Sequence, residues 1–145
     1  MTVKAIAACI FLALICFSAA AQQPTSILSV EDAKNLVLAA LPPRTKHLQR
    51  FALEQYESPQ SPQFYFFTGV WDNPHGSVAT GNYAVDKMTA DVWNAPAACV
   101  ELSSPELRKL QAQIRSRNGM SPAQYRRKKR TCPLELQDEA SASKQ

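Results

Sequence analysis

The sequence predicts an α+β domain: an N-terminal helix, an antiparallel meander of three or four strands, and a C-terminal helical pair stapled to the sheet by one disulfide. Three observations carry that expectation. A capped stretch with helical apolar spacing runs from Ser29 to Leu41. Aromatic and β-branched segments separated by short turns fill residues 48–93. Two further capped helical stretches begin at Ser104 and Ser121. At 145 residues the chain has room for one compact domain.

The first segment stands outside that fold. Lys4 precedes an uncharged, mostly apolar run from Ala5 to Ala21, which closes on Ser18-Ala19-Ala20-Ala21. A positive start, an apolar middle and small residues beside the cut describe a secretory signal peptide, cleaved after Ala21 or one residue to either side. The run is 17 residues long and Ala-rich at its end, short of the roughly 20 that span a bilayer. Cys9 comes too early in it to be a lipoprotein attachment site. The expected destination is secreted or periplasmic. Residues 22–28 read as a mobile leader, 29–132 as the domain and 133–145 as a disordered polar tail.

Cleavage leaves two of the four cysteines, Cys99 and Cys132. In an oxidising compartment they are expected to pair. An intermolecular bridge and a pair of reactive thiols are the alternatives, and no metal ligands lie near either cysteine.

Each element has a local cause. Ser29 with Asp32 approximates a capping box, Val30, Ala33, Leu36, Val37 and Ala40 follow at helical spacing, and Pro42-Pro43 ends the helix. A strand is expected from Leu48 to Tyr56 and a second from Phe64 to Trp71. After the turn Asp72-Asn73-Pro74-His75-Gly76, Val78 to Val85 reads as the hairpin partner, and Asp91-Val92-Trp93 as a short last strand. In the second strand Phe64, Phe66, Thr68 and Val70 point one way, and Tyr65, Phe67, Gly69 and Trp71 the other. Both faces are apolar, so the strand is either covered on both sides or offers one face to a partner. Ser104-Pro105-Glu106 starts a helix with Leu107, Leu110 and Ile114 in its stripe, Asn118-Gly119 stops it, and Ser121-Pro122 starts the last one.

Ser29 to Leu41, and the stretch Gly81-Asn82-Tyr83-Ala84-Val85-Asp86-Lys87-Met88-Thr89-Ala90-Asp91-Val92-Trp93, carry a resemblance over about residues 29–94. They are similar to the leading helix and the strand–turn–strand ending of the PepSY-type module of secreted bacterial proteins, a cystatin-like α+β arrangement. Ala90 stands where that family has Gly. The resemblance implies a non-catalytic module that binds or restrains another exported protein. The C-terminal helical pair lies outside it.

Charge is unevenly spread. Residues 105–132 hold nine Lys or Arg and one acid, whereas the rest of the mature chain is acidic. Arg115, Arg117 and the run Arg126, Arg127, Lys128, Lys129 and Arg130 are therefore candidate anion-binding residues for envelope lipid or polymer. Five consecutive cations sweep right round a helix, so a solvated helix end is the first reading of the run, ahead of adhesion, and a basic cleavage site for a processing protease is a third. Tyr65, Phe67 and Trp71 are the candidate partner-binding aromatics, for another exported protein or for a second copy of the chain through the sheet; sheet core is the competing reading. Asp72, Asp86 and Asp91 match no calcium loop, and His47 and His75 sit in no HExxH or GxSxG context. No enzyme, metal, cofactor or specific nucleic-acid partner is expected. The leading expectation is a binding module; the alternative is a protein held at the envelope surface by its basic helix.

Overall fold

Ser29 caps the first helix as its position demands: its hydroxyl oxygen accepts the Asp32 N–H at 3.0 Å and its own proton goes to the Asp32 carboxylate at 2.8 Å. A computed structural model describes residues 28–95 and 99–129; Arg130, Cys132 and the segments expected as signal peptide and tail lie outside them. Helix α1 spans Val30–Ala40. Pro43 then opens a single helical turn, α2 (Pro43–Lys46), where a plain stop was expected. Proline suits the first position of a helix as well as it suits the end of the preceding one.

Among the described residues five strands follow: β1 (Phe51–Tyr56), β2 (Phe64–Asn73), β3 (Gly76–Asp86), β4 (Val92–Asn94) and β5 (Val100–Glu101). They form one antiparallel sheet in the order β1-β2-β3-β4-β5. The expectation of three or four strands is corrected by β5, which is two residues long and has no apolar alternation to announce it. Its pairing comes from the chain folding back on Trp93 and Asn94. Helix α3 (Pro105–Arg117) and the short α4 (Pro122–Lys128) complete the described residues, capped by Ser104 and Ser121.

Helices α1 and α3 lie side by side and antiparallel on one face of the sheet. Ser104 at the start of α3 donates to the Ala39 carbonyl at the end of α1, and Arg117 at the end of α3 pairs with Asp32 at the start of α1. That arrangement sets an anion at one helix's positive end and a cation at the other's negative end, a favourable disposition for both dipoles. Between helices and sheet lies the core, built from Leu28, Leu36, Val37, Phe67, Val85, Val92, Leu107 and Ile114 among others. Leu28, read from sequence as the end of a mobile leader, is a core residue; its carbonyl accepts the Tyr65 hydroxyl at 2.7 Å.

The β3–β4 turn has a defined chemistry. One Asp86 carboxylate oxygen accepts the N–H groups of Met88 and Thr89, and Ala90 takes a left-handed conformation at φ +60°. That conformation costs an L-residue about 1–2 kcal/mol, and burial of the Ala90 methyl in the core offsets part of it.

Gly69 and Gly81 face one another across β2 and β3. A Cβ on Gly81 would stand 2.5 Å from the Tyr83 hydroxyl oxygen and 2.9 Å from the ring carbon bearing it. The glycine thus leaves room for the Tyr83 ring to lie back along its own strand. Gly81→Ala is expected to lower stability by about 1–3 kcal/mol through displacement of that ring, measured by urea unfolding.

Candidate docking surface

The three aromatic residues expected to meet a partner share the face that α1 and α3 cover. Phe67 is 0% exposed, within the core under α1, and this corrects its assignment as a contact residue. Tyr65 is half-buried, its hydroxyl spent on Leu28 and its ring carrying the Lys87 ammonium at 4.6 Å. Trp71, also half-buried, lies at the other end of β2, beside the α2–β1 connection. One strand face was treated as a unit from sequence, and the helices divide it into a covered part and an open end.

The cations divide in the same way. Arg115 donates through Nε to the Thr89 carbonyl at 2.7 Å and through a terminal nitrogen to Asp91 Oδ1 at 2.6 Å. Its guanidinium also stacks 3.8 Å over the Tyr125 ring, and the Tyr125 hydroxyl donates to the same Asp91 oxygen at 3.0 Å. Gln111 adds a bond to the Ala90 carbonyl. Burial pushes the Asp91 carboxyl above its usual range, with the Arg115 charge and the bonds from Thr89 and Tyr125 pulling the other way. Arg117 pairs with Asp32, and Lys129 with Glu101. Arg115, Arg117 and Lys129 therefore answer to carboxylates of the chain itself; Arg126, Arg127 and Lys128 are exposed on α4, and Arg130 lies outside the described residues.

Among the described residues this clasp, the Lys129–Glu101 pair and the core residues Leu107 and Ile114 tie the helical pair to the sheet. Cys99 is disulfide-bonded, and Cys132 lies outside the described residues. Sequence reading missed the clasp because Asp91, Arg115 and Tyr125 are far apart along the chain. Its only local sign was an acid at the mouth of a turn.

A different region has the form of a contact surface. Strands β2 and β3 outrun their neighbours: β1 pairs only as far as Trp71, and β4 only with Tyr83 to Val85. The two long strands continue as a ribbon to a two-residue tip, Pro74-His75, closed by Gly76 at φ +124°. Trp71 and Val78 are cross-strand partners on this ribbon, with Phe51 next in the row. Val78 is 50% exposed. Beside Trp71 a depression of about 540 Å³ opens between the ribbon and the α2–β1 connection, lined by His47, Leu48, Arg50, Asp72 and Pro74 among others. The exposed Arg50 and Asp72 side chains approach to 3.5 Å across it. Arg50 holds φ +57°, which turns the chain from α2 into β1 and shapes that wall.

On the face opposite the helices, Phe64, Phe66, Ala84, Trp93 and Ala95 form a second, smaller cluster. Phe64 meets Trp93 edge-on with ring centroids 5.7 Å apart, and the exposed Tyr56 stacks on Phe66 at 5.5 Å. The ribbon tip and the clasp lie at opposite ends of β3, about 30 Å apart for a strand of this length. Contact at one end leaves the exposed cations at the other.

Among the described residues no group of three or more His, Cys, Asp or Glu side chains is placed to hold a metal ion. His47 and Asp72 line the open depression, while His75 occupies the exposed tip, its N–H given to the Asn73 side chain. Asp86 and Asp91 serve the β3–β4 turn and the clasp. Apolar side chains beside unsheltered strand backbone suit non-covalent contact with another protein.

No protein-family model matches the chain, and no curated protein sequence matches it. Among solved structures, the chain is similar to a chain in a type VI secretion system effector–immunity complex from Pseudomonas protegens, with 30% identity and a TM-score of 0.54. The likeness covers 70% of this chain and 89% of that one. It replaces the PepSY resemblance: the helix and turn that suggested that module belong here to a fold similar to one found in an effector–immunity complex.

Proposed function

Since the chain belongs to the family of a component of a type VI secretion system effector–immunity complex, we propose that it is an exported immunity-type protein that binds a secreted toxin and restrains it. The observation that carries this reading is identity of 30% sustained over 89% of a protein seen in such a complex. Two features favour the restraining side of the pair. The polar groups that gather in the fold, around Asp91 and Arg115, are spent on holding helices to the sheet rather than directed into an open cleft. The export signal expected over residues 1–21 would take the chain to the envelope on its own account.

Contact is assigned to the open end of the β2–β3 ribbon. There Trp71 and Val78 supply an apolar anchor and the Arg50–Asp72 pair a polar rim, the usual division of a protein interface. The exposed cations of α4, at the far end of the sheet, remain a solubilising surface in this reading.

The test is direct. Mature chain, residues 22–145, is mixed separately with the effector and with the immunity component of the P. protegens complex and run on a sizing column. Co-elution with the effector, and survival of cells that export that toxin together with this chain, is the expected result. Co-elution with the immunity component instead would reverse the assignment, and association with neither would overturn it. Fractionation of the same cells should find the chain in the periplasm, shortened at Ala21 or a neighbouring bond.

A further inference from the structure

We infer that the toxin docks by adding an extended segment to the free edge of β3 over Gly76–Ala79; the inference rests on the immunity reading and specifies how the contact is made. β3 is 11 residues long and β4 only three. The last main-chain bond across that pair runs from the Ala95 N–H to the Asn82 carbonyl. Among the described residues no strand lies beside Gly76 to Ala79 on that side, and Ser77, Val78 and Ala79 are all exposed. In an antiparallel ladder alternate residues send both backbone groups outward, so such an edge offers a paired donor and acceptor at every second residue to an incoming strand.

Proteins ordinarily protect edges of this kind with charge, proline, brevity or a bulge. The other edges of this sheet follow that practice. β5 is two residues long and carries the Glu101–Lys129 ion pair, and β1 has Glu54 near its middle. The sequence from Gly76 to Gly81, Gly-Ser-Val-Ala-Thr-Gly, has neither charge nor proline. Its one irregularity is the bulge at Thr80, which drops out of register with β2 while its hydroxyl donates to the Gly69 carbonyl at 3.1 Å. The bulge sets the inner limit of the regular edge at Ala79 and leaves the outer four residues in ladder geometry.

The side chains define the occupant. On the Trp71 side, Val78 is the exposed apolar neighbour, so the incoming strand should place an apolar side chain there. On the other side Ser77 and Ala79 are small, and they admit either polar or apolar neighbours. Backbone bonds would supply affinity and the Trp71–Val78 pair selectivity, the division seen when an extended peptide augments a sheet. Since the edge is uncharged, salt should have little effect on the association.

The probe is the effector of the P. protegens complex, with the mature chain and two variants, Val78→Lys and the double change Ser77→Lys with Ala79→Lys. All three positions are exposed, and circular dichroism checks that each variant folds. Slowed amide exchange over 76–79 on adding the effector, with affinity at least tenfold weaker in both variants, is the expected result. Binding by wild type with unchanged exchange over 76–79 and unchanged affinity in the variants would overturn the edge while leaving the immunity reading in place. Failure of wild type to bind would overturn that reading and the edge with it. Self-association of the chain alone, lost in Val78→Lys, would make a second copy the occupant and overturn the inference for the toxin.

Discussion

Arg115→Ala should lower the stability of the domain by about 3–5 kcal/mol at neutral pH, the cost of leaving a buried carboxylate without its counter-ion. The Asp91 side chain is 1% exposed, and Arg115 supplies its charged partner as well as a bond to the Thr89 carbonyl. Tyr125→Phe removes only one hydroxyl from the same oxygen and should cost about 1 kcal/mol. Urea unfolding of the three proteins gives the comparison, and a loss under about 1 kcal/mol for Arg115→Ala would show that the clasp does not hold the helical pair.

The pH dependence has a definite sign. Burial raises the Asp91 carboxyl above the ordinary aspartate value in spite of Arg115 and the bonds from Thr89 and Tyr125. A group with a raised folded-state pKa contributes stability that is complete below the unfolded value and is lost as pH rises through the folded one. Removing Arg115 raises the carboxyl further. The cost of Arg115→Ala should therefore be largest near neutrality and shrink as acid protonates Asp91. Asp32 behaves in the opposite sense. Desolvation raises its carboxyl, but the bonds from Arg117 and Ser29 outweigh it and the net shift is downward. Its contribution is present above 3.8 and fades as pH falls through the lowered value.

Phe67→Ala should cost about 3–5 kcal/mol, because it removes a fully buried ring from between α1 and the sheet. Trp71→Ala, on the same strand face, should cost stability much less, since that ring is half open to solvent. Toxin binding should show the reverse ranking: nearly lost in folded Trp71→Ala, and retained in Phe67→Leu, which keeps the core filled. Urea midpoints and binding isotherms on the same proteins decide it. Equal stability losses at the two positions would mean that the helices reach further along the sheet than their contacts show.

Much of the local structure was legible because its causes are local. Ser29, Ser104 and Ser121 each precede a helix and cap it with their own hydroxyls, and the alternation along Phe64 to Trp71 separates two sheet faces as written. The strands that short turns join do pair in sequence order. Elements with little apolar content escaped notice: α2 is one turn behind a proline, and β5 exists through its pairing with β4.

The candidate surface was legible only in part. Periodicity shows that Tyr65, Phe67 and Trp71 share a face, yet it does not reveal where along that face a helix stops. Helix position depends on how α1 and α3 pack together, and hence on contacts such as Ser104 to Ala39 and Arg117 to Asp32 between residues more than sixty apart. The basic residues pose the same problem. Composition counts nine cations in the last part of the domain, but distances of 2.6 to 2.9 Å assign Arg115, Arg117 and Lys129 to internal carboxylates.

Helix caps and strand faces are legible along the chain because each follows from interactions a few residues long, and the asymmetry of charge follows from composition. Long-range packing settles which aromatic residues are core, which cations are spent, and that among the described residues β3 extends past β4 with no strand beside it. Those outcomes depend on relative lengths and long-range packing, and a strand's edge is free or covered according to where its neighbours end.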